Sequence, residues 1–339
     1  MHWSWWDIKH SNIAIFVPHL GCPQNCSFCN QRKITGIEKL PDETDIENAV
    51  LTAYSINENL SNTQIAFFGG SFTAIDRDYM LRLLSKAKEL VKKYNMQGIR
   101  ISTRPDCVNL EVLNILKKYL VNSIELGAQS MDDVVLYKNQ RGHTKDDIIF
   151  ASKLIKENAF ELGLQMMTGL YASSYEKDVK TAQELIDLKP KTLRVYPTVV
   201  FKDTVLFDFY KTGKYIPQSL EKAVDLCSEI IEMCERNGVD LIRLGLHSSD
   251  ELKNAVAGIN HPAFTELCRS NLFLRKIKQV LIKKGEYTIL VNPKEISQAI
   301  GQKRDNIQKL KQLGFDVKIK ADSQIEFRKF LIRGEKLCD

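Results

Sequence analysis

Three of the chain's eight cysteines fall within eight positions, as Cys22-x3-Cys26-x2-Cys29 in HLGCPQNCSFCNQ (19–31). Thiolates are soft ligands that select iron–sulfur clusters or zinc. Structural zinc sites and ordinary iron–sulfur sites are completed by a fourth protein ligand, yet the next cysteine here is the distant Cys107. Three thiolates on one loop suit a [4Fe–4S] cluster whose fourth iron is open to a substrate or cofactor. The alternative is a zinc site that borrows His19 or His143, although zinc spacings favour paired ligands on either side of a loop.

Such a loop needs a scaffold, and the preceding and following residues describe one. Short apolar runs at 13–17, 65–70, 98–105, 123–129, 161–170, 192–200 and 239–246 read as strands. Helical periodicity separates them at Tyr79–Tyr94, Asp146–Asn158, Tyr175–Leu188 and Ser219–Asn237. Alternating strands and helices with near-continuous apolar strands predict a parallel α/β sheet, an open or partly closed (β/α) barrel of six or seven units. Several strands end in polar residues: Gly69-Gly70-Ser71, Ser102-Thr103-Arg104, Gln129-Ser130, Gln165 and Tyr196-Pro197. Parallel α/β folds place active sites at C-terminal strand ends, so these residues are expected on one rim with the cysteine loop. Singly, a Gly-Gly pair also serves tight packing, and Arg141 in Arg141-Gly142-His143 also suits a surface ion pair.

At 339 residues, with 44% hydrophobic and 27% charged residues, the chain is an ordinary globular protein with room for one large domain and a small one. Its N-terminus, MHWSWWDIKH, lacks the apolar stretch of a secretion signal, and no apolar run approaches the ~20 residues that span a bilayer. A cytoplasmic protein is expected, and the crowded thiols then favour metal over disulfides. Cys107, Cys227, Cys234, Cys268 and Cys338 read as ordinary thiols. Trp3, Trp5 and Trp6 could stack on bases or pack against the body, and no site is assigned to them.

The cysteine loop, with Phe28 before its third cysteine, resembles the signature of the radical S-adenosylmethionine (SAM) enzymes. FFGGSFT (67–73), STRPD (102–106), ELGAQS (125–130) and RGHT (141–144) resemble the branch containing the elongator catalytic subunit. The resemblance covers roughly residues 10–265. It implies that Cys22, Cys26 and Cys29 hold a [4Fe–4S] cluster, that SAM chelates its open iron, and that reductive cleavage releases a 5′-deoxyadenosyl radical. It further implies that Gly69, Gly70 and Ser71 take the SAM amino group and that Arg141 pairs with its carboxylate. Gln129 would face the ribose or methionyl group, and Gln165 the ribose. Phe28, Ser102 and Arg104 complete the implied cofactor set, although Ser102 stands where the branch often has glutamate. An electron donor such as flavodoxin or ferredoxin is implied as partner. The elongator subunit's acetyltransferase domain is not expected after residue 265, nor is a cobalamin domain or second cluster expected at the N-terminus.

A different pattern begins near Ile277: strand (287–291), helix (293–300), turn (301–304), helix (305–312), and strands near 315–320 and 324–327. AIGQKRDNIQKLKQLGF (299–315) resembles the core of a KH domain, in which a GxxG turn between two helices clamps single-stranded RNA backbone. Here the turn is Gly301-Gln302-Lys303-Arg304, with arginine in place of the second glycine. From Arg269 to Lys311, eleven cations face only Glu286, Glu295 and Asp305, which suggests a polyanionic partner or a solvated helix face. The expected organisation is a radical SAM barrel (1–265), a basic linker helix (266–285) and a KH-like unit (286–339). The expected function is SAM-dependent radical modification of RNA, with tRNA the first candidate and no membrane partner. The alternatives are a small-molecule enzyme resembling porphyrinogen dehydrogenases, and a non-catalytic RNA-binding protein with a structural metal.

Overall fold

Alternation along the strands sets the architecture. The computed structural model describes residues 11–17, 26–29, 40–246 and 254–337, with side chains up to 333. Cys22, His19, the three tryptophans and Cys338 lie outside the described residues. The strands are β1 (Ser11–Val17), β2 (Thr63–Gly69), β3 (Gly98–Thr103), β4 (Val121–Gln129), β5 (Glu161–Thr168), β6 (Thr192–Pro197), β7 (Val199–Phe201), β8 (Asp240–Leu244) and β9 (Ala255–Gly258). Three more follow: β10 (Gly285–Val291), β11 (Phe315–Ala321) and β12 (Phe330–Leu337). The first helices are α1 (Glu43–Ile56), α2 (Arg77–Lys93), α3 (Leu110–Lys118), α4 (Asp133–Lys138), α5 (Lys145–Glu157) and α6 (Tyr175–Asp187). The rest are α7 (Val205–Lys211), α8 (Leu220–Asn237), α9 (Phe264–Val280), α10 (Ile296–Ile300) and α11 (Asp305–Gln312).

Among the described residues seven strands form one parallel sheet in the order β1-β2-β3-β4-β5-β6-β8, with no pairing between the end strands. The result is an α/β fold with a curled half-barrel sheet, the expected partial (β/α) barrel. Ile65, Phe67, Ile99, Ile101, Ile124, Leu126, Leu164 and Val195 face outward into the main core under the helices. α2 shows why: Tyr79, Met80, Leu83, Leu84, Ala87, Leu90 and Val91 recur every three or four residues and are all buried, and the Asp76 carboxylate caps the helix through the Tyr79 amide. Each large apolar side chain so buried contributes roughly 1.5–3 kcal/mol. The inward positions carry many polar side chains: Gln64, Arg100, Ser102, Ser123, Glu125, Glu161, Gln165, Arg194 and Tyr196 line the lumen beside Phe68.

The sequence reading needs correction in four places. The run 192–200 is two strands: Pro197 ends β6, the Thr198 amide and hydroxyl both bond the Thr168 carbonyl (2.9 and 2.7 Å), and β7 pairs antiparallel with β9 instead. The strand expected near 324–327 is a turn, because Asp322 accepts from the Gln324 amide (2.9 Å) and draws the chain round; β12 starts at Phe330. The helix expected at 293–300 opens as a 3-10 turn at Pro293–Glu295 before α10. Finally, the helix expected at 266–285 ends at Val280, and it is no isolated spacer. Its Phe264, Cys268 and Leu272 join the barrel core, while Phe273, Leu274 and Ile277 pack with Tyr287, Ile289, Val291, Ala299, Leu310 and Val317.

The C-terminal unit is a three-stranded sheet, order β11-β10-β12, with β10 and β11 parallel. Between these two strands α10 and α11 flank the Gly301–Arg304 turn. Asn306 fastens the turn from beneath, its Nδ2 donating to the Ser270 carbonyl of α9 (2.9 Å) and the Ala299 carbonyl (3.1 Å). Among the described residues no helix is long and apolar enough to cross a membrane.

Candidate active site

The rim is assembled from backbone constraints first. Gly69 has φ +124°, and a Cβ there would run into the Val17 carbonyl of β1. Only glycine lets β2 end this close to the strand that feeds the cysteine loop. Gly70 follows, partly exposed, its amide bonded to the same Val17 carbonyl (3.2 Å). Ser71 is buried, and its hydroxyl is engaged by Thr103 (2.7 Å) and the Arg104 amide (3.3 Å), tying the end of β2 to the end of β3. Gln129 takes φ +67° at a bulge in the β4–β5 pairing, which aims it at Gln165 of β5 (3.4 Å).

The described part of the cysteine loop is pinned from three sides. Ser27 is fully buried; its hydroxyl donates to Asn139 Oδ1 (2.8 Å), and its carbonyl accepts from the Leu206 amide of α7 (2.8 Å). Asn139 in turn donates to the Tyr171 carbonyl beyond β5 (2.9 Å). That loop is fastened by buried Asp178, which accepts from the Gly169 amide (2.7 Å) and the Ser173 hydroxyl (2.5 Å). Burial pushes the Asp178 carboxyl up to about 6 against these two hydrogen bonds. Phe28 packs against the small buried cluster of Val200, Leu206 and Tyr215, which Tyr171, Phe207 and Phe209 also cover.

Arg141 joins the loop to the rim. One terminal nitrogen donates to the Cys26 sulfur (3.1 Å), the other to the Gly127 carbonyl (2.7 Å), and the guanidinium lies 6.0 Å from the Phe28 ring centre. Its Nε is buried without a partner. Arg104 supports this placement, forming a two-pronged pair with Asp106 (2.9 Å each) and donating to the Arg141 carbonyl (2.5 Å). Next to it, His143 is buried with Nε2 3.2 Å from the Ala128 carbonyl; burial, then Arg141, pushes its pKa down to about 4.

Below the rim lies a layer that the sequence reading missed. Glu125 is 2% exposed and forms an ion pair with Arg194 (2.6 Å), while its other oxygen accepts from Ser102 (3.3 Å). Arg194 also donates to the Tyr196 hydroxyl (3.3 Å) and stacks over Phe68 (4.8 Å). Deeper still, Arg100 pairs with Glu161 (2.9 Å) and Gln64 (3.0 Å). Gly163 makes the space, since a Cβ there would crowd Thr192 and Arg100. Counting every second residue along 98–103, 121–129, 161–168 and 192–197 would have revealed this polar row.

So the structure brings Cys26, Cys29, Phe28, Gly69, Gly70, Gln129, Arg141 and Gln165 to one end of the sheet. Ser71 and Arg104 stand behind them as buried ties, and Ser102 faces Glu125 lower in the lumen. Gly301, Gln302, Lys303 and Arg304 are in the separate C-terminal unit.

Comparison with known families settles what this rim belongs to. The radical SAM superfamily model matches residues 16–185, and a radical SAM C-terminal domain model matches residues 190–273. The chain belongs to the radical SAM superfamily. It is 26% identical over 185 residues to a tRNA uridine(34) acetyltransferase of Methanocaldococcus jannaschii, covering 49% of this chain and 34% of that protein. It is 30% identical over 200 residues to Elongator complex protein 3 of Dictyostelium discoideum, covering 52% of this chain and 35% of that protein. The chain spans about a third of the length of these curated relatives. The solved archaeal Elp3 of Methanocaldococcus infernus superposes with a TM-score of 0.63 at 19% identity, over 81% of this chain and 65% of that one. These likenesses support the elongator-like branch of the superfamily.

The residues fit the family's cofactors. A guanidinium donating to the Cys26 sulfur suits a metal-bound thiolate better than an inert buried thiol. The Arg141 Nε, buried without a hydrogen-bond partner on the same guanidinium that touches Cys26, is a donor left over where an amino-acid group could sit.

Proposed function

We propose that the chain is a cytoplasmic enzyme that modifies RNA, tRNA first among candidates, by radical SAM chemistry. Cys22, Cys26 and Cys29 would hold a [4Fe–4S] cluster, and Gly69, Gly70, Phe28, Gln129, Arg141 and Gln165 would position SAM. When bound, these groups supply a reductive cleavage of SAM to methionine and a 5′-deoxyadenosyl radical, with one electron from a donor such as flavodoxin or ferredoxin. Arg141 would hold the SAM carboxylate while fixing the Cys26 sulfur, a double duty that its two-ended guanidinium geometry allows. Ser71 and Arg104 would act behind the cofactor, holding the rim rather than touching it. The polar lumen below would keep the substrate group within reach of the rim.

The observation that carries the reading is the Arg141 bridge from the cysteine loop to the end of β4. For RNA, support comes from the names of the relatives and from the KH-like turn. Lys303 and Arg304 are exposed there and, among the described residues, have no carboxylate within ion-pair distance. Reconstituted protein reduced with dithionite should convert SAM to 5′-deoxyadenosine and methionine, and Cys26→Ala should abolish the conversion. Equal turnover by both proteins would sink the enzyme reading. Mass spectrometry of nucleosides from cells with and without the gene should show one modified nucleoside missing; identical profiles would remove the RNA substrate.

A further inference from the structure

Among the described residues the lumen leaves one cation over. Arg100 is matched by Glu161 and Arg194 by Glu125, but Arg243, registered beside Arg194 on β8, holds the Gly245 carbonyl (Nε, 3.1 Å) and no carboxylate. Among the described residues no carboxylate lies within ion-pair distance of it. Burial lowers its pKa, Tyr196 opposing and Arg194 adding to the effect. Arg243 also lines a cavity of about 390 Å³ along the unpaired edge of β8, with Asn260, His261, Thr265 and Arg269 on the facing wall. Among the described residues no carboxylate lines this cavity. His261 Nδ1 accepts from the Ala263 amide (3.1 Å), which leaves the ring proton on Nε2 as a donor. Arg269 feels Glu235, Glu266 and Glu295, with the like charge of Arg328 beside them, and among the described residues no carboxylate is within ion-pair distance of it.

We propose that this cavity binds a phosphate, the phosphodiester next to the nucleotide that enters the lumen. The inference rests on the RNA reading and adds to it a second contact, between the rim and the C-terminal turn. Planar guanidinium donors match phosphate oxygens two at a time, and the described lining of the cavity offers donors without an anionic acceptor. Position agrees: Arg243 leads inward to Arg194 and Tyr196. α9 leads outward from Thr265 and Arg269 to Ser270, which holds Asn306 beneath the Gly301–Arg304 turn. An RNA strand passing from the turn to the lumen would cross this cavity.

The test is filter binding of an anticodon-arm RNA hairpin across salt, with wild type, Arg243→Gln and Arg243→Lys, each checked for an unchanged melting temperature. Arg243→Gln should weaken binding about tenfold and flatten the salt slope by roughly 0.7, one single-strand phosphate contact, while Arg243→Lys should keep the slope. Unchanged affinity and slope in Arg243→Gln overturn the site. If wild type binds no hairpin, the RNA reading fails separately, and uridine monophosphate titrated against wild type and Arg243→Gln decides the cavity. Binding by wild type alone supports a phosphate site for a small nucleotide, and equal or absent binding overturns it.

Discussion

The barrel lumen and the basic C-terminal stretch are both rich in arginine and lysine, yet they use cations in opposite ways. In the lumen, Arg100, Arg141 and Arg194 are buried, and each is held by a carboxylate, a sulfur or a carbonyl. In the C-terminal stretch some cations are neutralised: Arg275 pairs with Asp225 (3.2 Å) and Glu229 (3.3 Å), and Lys276 with Glu235 (3.0 Å), all on α8. Lys303 and Arg304 alone occupy the turn and face solvent. Buried, committed cations cost desolvation and return geometry; exposed, uncommitted ones return only screened attraction. The charge run in the sequence therefore overstated the basic face, because acids distant in sequence on α8 neutralise Arg275 and Lys276.

The largest effect should come from breaking a buried pair. Glu125→Ala leaves Arg194 buried without its carboxylate and should cost about 3–5 kcal/mol of stability. Urea unfolding measures it, with Glu125→Ala/Arg194→Ala as the double variant that should recover part of the loss. A change below about 1 kcal/mol would place the pair among weak surface bridges and erase the contrast between the two regions.

Next comes Arg141→Lys. Lysine retains the charge but cannot reach the Cys26 sulfur and the Gly127 carbonyl together. SAM cleavage should fall about a hundredfold, equivalent to roughly 2.7 kcal/mol, with the melting temperature nearly unchanged. Cleavage within twofold of wild type would reduce Arg141 to a point charge.

A smaller effect tests the rim by pH. His143 sits at about 4 when folded against an ordinary 6.5, because burial and then Arg141 oppose its charge. The unfolded chain therefore takes up the proton first as pH falls. The stability His143 contributes is complete above 6.5 and drains away between 6.5 and 4, by about 2–3 kcal/mol. Asp178 works the other way: raised from 3.8 to about 6, it favours the folded state as pH falls through that window. The comparison with His143→Gln isolates the histidine. Wild type should lose more urea resistance than the variant between pH 7 and pH 4.5, and parallel losses would contradict the buried neutral ring.

Much of this was legible because local chemistry dictates it. Gly69-Gly70 could be placed at a strand end from composition, and the cysteine spacing stands on its own. The strand run 192–200 misled because Pro197 and Thr198 end β6 through a contact to Thr168, a residue thirty positions away. Glu125 was inside the quoted ELGAQS motif, yet its partner Arg194 is sixty-nine positions on, and only the parallel register of β4, β5 and β6 brings them together. Cys26 was expected as a ligand, but its contact with Arg141 depends on Ser27 and Asn139, neither of which carries a motif.

The smallest effect belongs to the turn, and it separates charge that binds from charge that merely sits in solvent. Lys303 and Arg304 both adopt left-handed φ, +52° and +64°, so the turn presents two neighbouring side chains on a tight bend fixed by Gly301. A Cβ at Gly301 would crowd the Asn306 amide, so the bend itself depends on that glycine. Lys303→Ala/Arg304→Ala should leave stability and SAM cleavage in the absence of RNA unchanged. It should weaken binding of an RNA hairpin several-fold and lower the salt slope by roughly 1.4 for two single-strand contacts. Arg275→Ala is the matched control: it removes one cation from the same stretch, but that cation is spent on Asp225 and Glu229, so the slope should not move. Equal losses from the two variants would mean that RNA senses only the overall charge of the C-terminal stretch, and that the turn has no special part in holding it.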